Sequence, residues 1–348
     1  MEISKKVQES GDHCLNVQAE NFTINTGLTI AHVREIALEV FHNNFYQLAG
    51  LAKETASQRA KEITDQFLEE LATRNPAGIA ASEDPDFQHS LFTAQKEYAR
   101  CGDKELGDIL VDILVDRTKQ PTRTLLQIVL NESLSVAPKL NPEQLDLLAC
   151  CFNIAYTRRL NIKNIADFAS YLNDGILIFS EPIASKDSNY RHLEYVGCAS
   201  IKTGHRDLIA ILMTTYPAIF SKGFQRDKIE NLEAKEPNII KVIIPCLHDS
   251  NLIQAGGMDD NVIVEMCKNH GISSDVTTEL IQINKAHIMN NEEAKEFLSK
   301  ICPKFRGFIE DSEKSQFRSL ELTSVGIAIA HAHSRKKAGF DADLSIWI

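Results

Sequence analysis

The sequence predicts a mainly α-helical protein with an N-terminal β-hairpin, a long helix, a helical core and a small mixed α/β C-terminal region. Three observations predict this class. Apolar residues recur at spacings of three and four through most of the chain, alternation is confined to short stretches, and caps or prolines separate the helical segments. With 348 residues, 43% of them hydrophobic, the chain is large enough for two or three domains.

We expect four segments. Residues 1–27 are predicted to form a β-hairpin oligomerisation element and residues 28–76 a long helix. A helical domain is predicted over residues 86–235, and a mixed α/β domain over residues 236–348.

The hairpin is predicted from two alternating stretches, residues 14–19 and 22–26. Leu15 and Val17 share one face of the first strand, and Phe22 and Ile24 share one face of the second. Two strands with one apolar face are marginally stable alone. We therefore expect neighbouring copies of the chain to pack against this apolar face. The alternative is a hairpin that folds back on its own domain.

A single helix is predicted from Thr29 to Arg74, where Asn75-Pro76 ends the pattern. About 46 residues of helix would extend about 69 Å, too far for one ordinary domain to cover. Its apolar positions, Val33 and Val40 among them, do not keep a strict heptad, so lateral packing is favoured over a two-stranded coiled coil. The predicted oligomerisation residues are therefore Leu15, Val17, Phe22, Ile24, Val33 and Val40.

An acidic stripe marks the predicted helix between residues 87 and 118, where Asp108, Asp112 and Asp116 stand one turn apart. Like charges at this spacing repel, so a metal ion or a basic partner could account for them. We favour a solvated acidic face, because no histidine or further acid converges on the stripe in the sequence.

The C-terminal region combines strand-like and helical patterns. Residues 239–247 fit a strand or a buried helix, residues 317–322 alternate like a strand, and residues 323–337 read as a helix. This order is compatible with a winged-helix-like module. Arg335, Lys336 and Lys337 form the one tight basic cluster, which we interpret as a cationic helix end; a nucleic-acid contact is the alternative.

Two local groups of residues could carry chemistry. His331 and His333 would chelate a metal on a strand, but a helix directs them to nearly opposite faces, so no metal is expected. Residues 204–207, Gly-His-Arg-Asp, contain a base, a cation and an acid, yet they also read as a turn that enters a helix. The sequence lacks a phosphate-binding loop, a Gly-x-Ser-x-Gly elbow and a His-Glu-x-x-His motif.

Composition narrows the class of protein further. Eight cysteines without a Cys-x-x-Cys pair indicate reduced, buried thiols, and no cofactor is expected. A net charge of -11 disfavours general nucleic-acid binding.

No segment is long and apolar enough for a membrane span, and the polar start lacks a signal core. We therefore predict a cytoplasmic protein.

Several stretches resemble an uncharacterised family of bacterial proteins. They are residues 11–19, with the pattern Gly-Asp-x-x-x-Asn-x-Gln-Ala, and residues 27–29, 33–37, 100–108, 215–217, 221–224 and 322–326. This resemblance covers nearly the whole chain and implies no activity or catalytic residue. Leu322-Thr323 and Gly326 also resemble a segment of abortive-infection proteins of the alpha type, which implies a role in defence against phage.

The predicted function is that of a cytoplasmic bacterial assembly or interaction protein, in its finer form a phage-defence sensor or regulator. It would form homo-oligomers through residues 14–74 and contact protein partners rather than membrane or nucleic acid. The alternative is an enzyme of unfamiliar type, a hydrolase or nuclease, whose scattered site residues the sequence does not reveal.

Overall fold

The computed structural model describes residues 29–44 and 50–348, and this part of the chain is mainly α-helical, as predicted. Its helices are α1 Ile30–Asn44, α2 Gly50–Arg74, α3 Pro85–Cys101, α4 Lys104–Arg117, α5 Leu125–Val136, α6 Pro142–Ala155, α7 Ile165–Tyr171, α8 Asp187–Tyr195, α9 Leu208–Thr215, α10 Glu230–Lys235, α11 Asp260–Asn269, α12 Ser274–Ala286, α13 Asn291–Ile301, α14 Pro303–Lys314 and α15 Ser324–Ala338. Within the described ranges, no helix combines the length and apolar character that a bilayer crossing requires.

Two small antiparallel sheets interrupt the helices. β1 Ala199–Ile201 pairs with β4 Leu320–Leu322, and Ser200 lies opposite Glu321. β2 Ile243–Pro245 pairs with β3 Ile253–Ala255. Because β4 pairs with a strand that precedes residue 236, the predicted C-terminal region is not a self-contained winged-helix module.

The predicted long helix is wrong in one respect: α1 and α2 are separate helices that pack against each other. Arg34 Nε lies 2.6 Å from Asp65 Oδ1, whereas 31 residues of continuous helix would separate them by about 46 Å. Phe41 packs with Ala56 and Ala60. The irregular heptad thus reflects two amphipathic helices that cover each other, and α2 begins at Gly50 with a left-handed φ of 56°.

The predicted hairpin lies outside the described residues, and so do Leu15, Val17, Phe22 and Ile24. Of the other predicted oligomerisation residues, Val33 is 1% exposed and belongs to the core of its own chain, so it is not available to another copy. Val40 is half-buried and lines a small gap beside Phe87 and Leu91.

The apolar core is arranged differently from the predicted domain division at residues 235 and 236. One large cluster runs from Val33 to Phe220 and resumes from Ala294 to Leu344. A second, smaller cluster occupies the intervening chain, from Phe224 to Leu280. The C-terminal segment therefore completes the main core.

Helix α15 lies at the centre of that core. It packs against α4, α5 and α6, and every residue from Gly326 to Ser334 is buried. A helix that is enclosed on all sides needs no polar face, which explains its run of Ile and Ala. This position brings the basic residues at its C-terminal end against α2, α4 and α6.

Candidate functional site

The strongest concentration of buried charge lies where α2, α4 and α15 meet. Arg335 Nη1 donates to Asp112 Oδ2 at 2.8 Å and to Asp116 Oδ2 at 3.0 Å. Arg74 reaches the opposite oxygens, with Nη1 2.6 Å from Asp112 Oδ1 and Nη2 3.2 Å from Asp116 Oδ1. We call these four residues the aspartate–arginine cluster. Its two negative and two positive charges balance.

The interpretation of the acidic stripe as a solvated face is wrong for two of its three members. The side chains of Asp112 and Asp116 are 1% and 8% exposed, and Asp108 accepts a hydrogen bond from Gln66. The two arginine partners of Asp112 lie 38 and 223 residues away along the chain, and Asp116 contacts the same arginines as well as the nearby Lys119. The repulsion within the stripe is offset by arginines that local sequence does not reveal.

The two aspartates respond differently to their surroundings. Burial raises the pKa of Asp112, with a further contribution from the charge of Asp116, and the two arginines do not overcome these effects. Burial acts on Asp116 as well, but Arg335 and Lys119 outweigh it and hold the pKa of that carboxyl below its ordinary value. The cluster therefore contains two acids whose affinities for a proton are pushed apart.

These aspartates and His331 are close enough to be considered as metal ligands, since one ligand atom from each lies within 4.8 Å of the others. The donors are nevertheless committed: both carboxylates contact guanidinium groups, and His331 Nε2 lies 2.8 Å from the carbonyl oxygen of Ala342. Burial and the charge of Arg335 also lower the pKa of His331. A cation would have to displace two arginines, so the arrangement fits an internal ion network better than a metal centre.

The two histidines of α15 are held apart, as the helical interpretation predicts. His333 Nε2 lies 2.7 Å from Asp146 Oδ1, on the side opposite the aspartate–arginine cluster. Lys337 Nζ contacts the same carboxylate at 2.7 Å. Burial raises the pKa of Asp146, but His333 and Lys337 together lower it below the ordinary value.

Each member of the basic cluster at the end of α15 has an acidic partner. Arg335 contacts Asp112 and Asp116, Lys336 Nζ lies 2.9 Å from Glu70, and Lys337 contacts Asp146. These pairs support the interpretation of a cationic helix end. They leave little of its charge for the phosphates of a nucleic acid.

A cavity of about 480 Å³ opens beside the aspartate–arginine cluster. Its wall includes Asp116, Arg335 and Lys119, together with Asp341 and Asp343 from the segment after α15. The buried Nε of Arg335 has no hydrogen-bond partner among the described residues and lies 3.8 Å from Asp341 Oδ1. This is where the cluster comes closest to a space that a ligand could enter.

The Gly-His-Arg-Asp segment does not form a catalytic group. Asp207 caps α9 by accepting from the backbone nitrogens of Ile209 and Ala210. Arg206 donates to the Tyr156 hydroxyl at 3.1 Å, and His205 Nδ1 lies 2.9 Å from Ser319 Oγ. The three side chains point to different partners, as a turn entering a helix requires.

The cysteines also fit structural roles. Cys150 and Cys151 are buried in α6, where burial raises the pKa of both thiols, that of Cys151 to about 12. A thiol with a raised pKa is a poor nucleophile.

The Leu322-Thr323 and Gly326 motif has a complete structural explanation. Thr323 Oγ1 caps α15 by accepting from the Gly326 nitrogen at 3.1 Å, and it donates to the Gly197 carbonyl at 2.6 Å. A Cβ atom at Gly326 would lie 1.9 Å from the carbonyl oxygen of Cys198. The motif therefore fixes α15 against β1 by cap and close contact.

A family model matches residues 27–348, nearly the whole chain. No curated protein and no solved structure matches the sequence. The site must therefore be interpreted from its own geometry.

Proposed function

Because the chain belongs to an uncharacterised family over residues 27–348, we propose a function from its own residues: an interaction protein that assembles with copies of itself. The observation that carries this proposal is the alternating apolar pattern within residues 14–26, and the balanced charge of the aspartate–arginine cluster speaks against the enzymatic alternative. The acids of this cluster, the most deeply buried in the main core, are paired with arginines from both ends of the described chain. Such a cluster joins α2, α4 and α15 and favours a structural role over a catalytic one.

Assembly is assigned to the residues before α1. The alternating pattern of Leu15, Val17, Phe22 and Ile24 supports it, since two short strands need another surface to cover their apolar face. Val33 no longer belongs to this set because it is buried in its own chain. The proposed interface therefore consists mainly of the segment before Thr29, and the half-buried Val40 stays in the proposed set.

Light scattering of the full chain and of a variant that begins at Thr29 tests this proposal. Deletion through residue 75 would be a poor test, because it removes the core residues Ile63 and Phe67. We expect an oligomer for the full chain and a monomer for the shortened one. Phe22→Asp should give the same dissociation, and Asn25→Asp on the polar face should not. The same number of chains per particle in all four proteins would refute the assembly.

The more specific proposal is that this assembly protein is cytoplasmic and acts in defence against phage, as a sensor or regulator. The reduced cysteines and the resemblance of residues 322–326 to abortive-infection proteins support it. Phage plating on bacteria that carry the intact gene or the Phe22→Asp variant provides the test. We expect fewer phage plaques on bacteria with the intact gene than on bacteria with the Phe22→Asp variant or an empty vector. Equal plaque numbers on all three strains would refute the defence role.

An enzyme, a hydrolase or nuclease, is the second candidate. The opposite pKa shifts of the neighbouring acids Asp112 and Asp116 favour it, because acid–base catalysis uses such separated pairs and Asp116 lines the 480 Å³ cavity. Hydrolysis of generic ester and phosphodiester substrates, with Asp116→Asn as the inactive control, tests it. Elemental analysis of purified protein tests the metal-dependent version.

A further inference from the structure

Arg159 is a partly buried cation that lacks an acidic partner. Its guanidinium carbon lies 4.5 Å from the ring centroid of Phe340, and its buried Nε makes no hydrogen bond with any residue that the structure describes. Among residues 29–44 and 50–348, no carboxylate lies within 4.0 Å of the guanidinium. The backbone is fixed, since the Arg159 nitrogen donates to the Tyr216 hydroxyl at 2.8 Å.

The guanidinium lines a cavity of about 250 Å³ between the end of α6 and α7, which we call the Arg159 cavity. Asn161 and Ser170 contribute polar groups to it, and Asp167 and Asp174 contribute carboxylates. Asp174 is exposed and, within the described chain, makes no hydrogen bond or ion pair. Asp167 accepts from the Lys163 nitrogen and the Asn164 amide, both neutral donors.

One wall of this cavity has an unusual backbone. Residues Leu172–Ile176 form a π-helical turn directly after α7, and such turns often occur at functional sites. Asp174 and Gly175 of this turn line the cavity. A Cβ at Gly175 would lie 2.8 Å from the Tyr171 ring, so glycine keeps the ring close to the turn.

We propose that the Arg159 cavity binds a small zwitterion, a free α-amino acid. The cavity holds charges of both signs that do not neutralise each other, and a ligand with a carboxylate and an ammonium group satisfies both. Arg159 would receive the carboxylate, for which the guanidinium fork is well shaped. Asp174, together with Asp167, would receive the ammonium group.

The charge and the volume of the Arg159 cavity limit which amino acids fit it. One guanidinium and two carboxylates give the wall a net charge of −1, so an amino acid with a basic side chain is preferred over an acidic one. The volume lies below the range of roughly 300–1,000 Å³ that is usual for drug-sized ligands. Burial lowers the pKa of Arg159 despite the opposing effect of Tyr171 and Tyr216, and an anion would relieve that desolvation cost. This site does not depend on the proposed assembly.

Isothermal titration of the full chain with L-lysine, L-alanine and L-glutamate, at constant ionic strength, tests the proposal. Saturable binding is expected in that order of decreasing affinity. Acetate carries only the carboxylate and methylamine only the ammonium group, so each should bind at least tenfold more weakly than L-alanine. Binding of acetate or inorganic phosphate as tight as that of L-alanine would overturn the zwitterion assignment, and so would the absence of saturable amino-acid binding.

Variants locate the site. Arg159→Gln and Asp174→Asn should each weaken L-lysine binding at least tenfold, while their unfolding curves match that of the unaltered protein. Lys163→Gln is the matched control, because this exposed lysine lies beside the cavity and contributes only its backbone nitrogen. Unchanged affinity in Arg159→Gln, or equal losses in Lys163→Gln, would refute this location.

Discussion

Arg335 and Arg159 lie on either side of the same short segment, yet their surroundings differ completely. Arg335 donates to the Ala342 carbonyl at 3.3 Å, and Arg159 stacks on Phe340. Arg335 meets two carboxylates, which raise its pKa over the opposing effect of burial. Arg159 meets aromatic rings, and burial lowers its pKa. A buried arginine that has an acid within reach holds the core together, as Arg335 does. A buried arginine without such an acid is available for a ligand, as we propose for Arg159.

The largest expected effect comes from breaking the aspartate–arginine cluster. Arg335→Met should lower the free energy of unfolding by about 3 kcal/mol, because it leaves two buried carboxylates with Arg74 as their remaining arginine. Urea denaturation followed by circular dichroism measures it. Arg306→Met, which removes one exposed ion pair with Glu310, is the control and should cost less than about 1 kcal/mol. Similar losses for both variants would contradict the central role of the cluster.

A smaller effect is expected from acid at the second ion group of α15. The folded pKa of Asp146 lies below its ordinary value, so the stabilisation it gives is present above that ordinary value, about 3.9. The stabilisation is lost as the pH falls through the folded pKa.

Unfolding measured from pH 6 downwards provides the test for Asp146. The unaltered protein should be more stable than Asp146→Asn at pH 6, and the difference should shrink below pH about 4. A constant difference over this range would show that the carboxylate charge is not responsible.

The smallest effect is expected at Arg159. Arg159→Met should change the free energy of unfolding by no more than about 0.5 kcal/mol in either direction, because no partner loses its ion pair. The same urea titration as for Arg335→Met applies. A loss above about 2 kcal/mol would show that Arg159 is structural, and the contrast between the two arginines would then disappear.

Local patterns predicted the helices well. Asn141 followed by Pro142 is a local signature of a helix start, and the structure shows Asn141 as the cap of α6, in a reciprocal box with Gln144. The helical spacing around His331 and His333 correctly separated the two rings. Such features depend on residues a few positions apart, where sequence spacing and spatial distance are tightly related.

The site residues depend on distant parts of the chain, and local sequence spacing does not reveal their partners. Asp112 and Asp116 stood out as a stripe, but Arg74 was one charged residue at the end of a helix and Arg335 one of three consecutive cations. The break between α1 and α2 was missed because both helices share the same period. No sequence pattern marks Arg159. Its proposed role depends on the absence of a carboxylate near the guanidinium in the described structure, and sequence spacing does not show such an absence.

The position of Arg335 in the chain sets the order in which the core can form during synthesis. The ribosome makes Arg335 223 residues after Asp112, while Arg74 is made 38 residues before that acid. Until α15 emerges, Asp112 and Asp116 face a single arginine, and the groove that later holds Ile327 to Ser334 is unfilled. A nascent chain halted before α15 therefore lacks the second arginine of the cluster, keeps Arg74 and Lys119 as the cations beside the two acids, and leaves an apolar groove open, which distinguishes it from the finished protein.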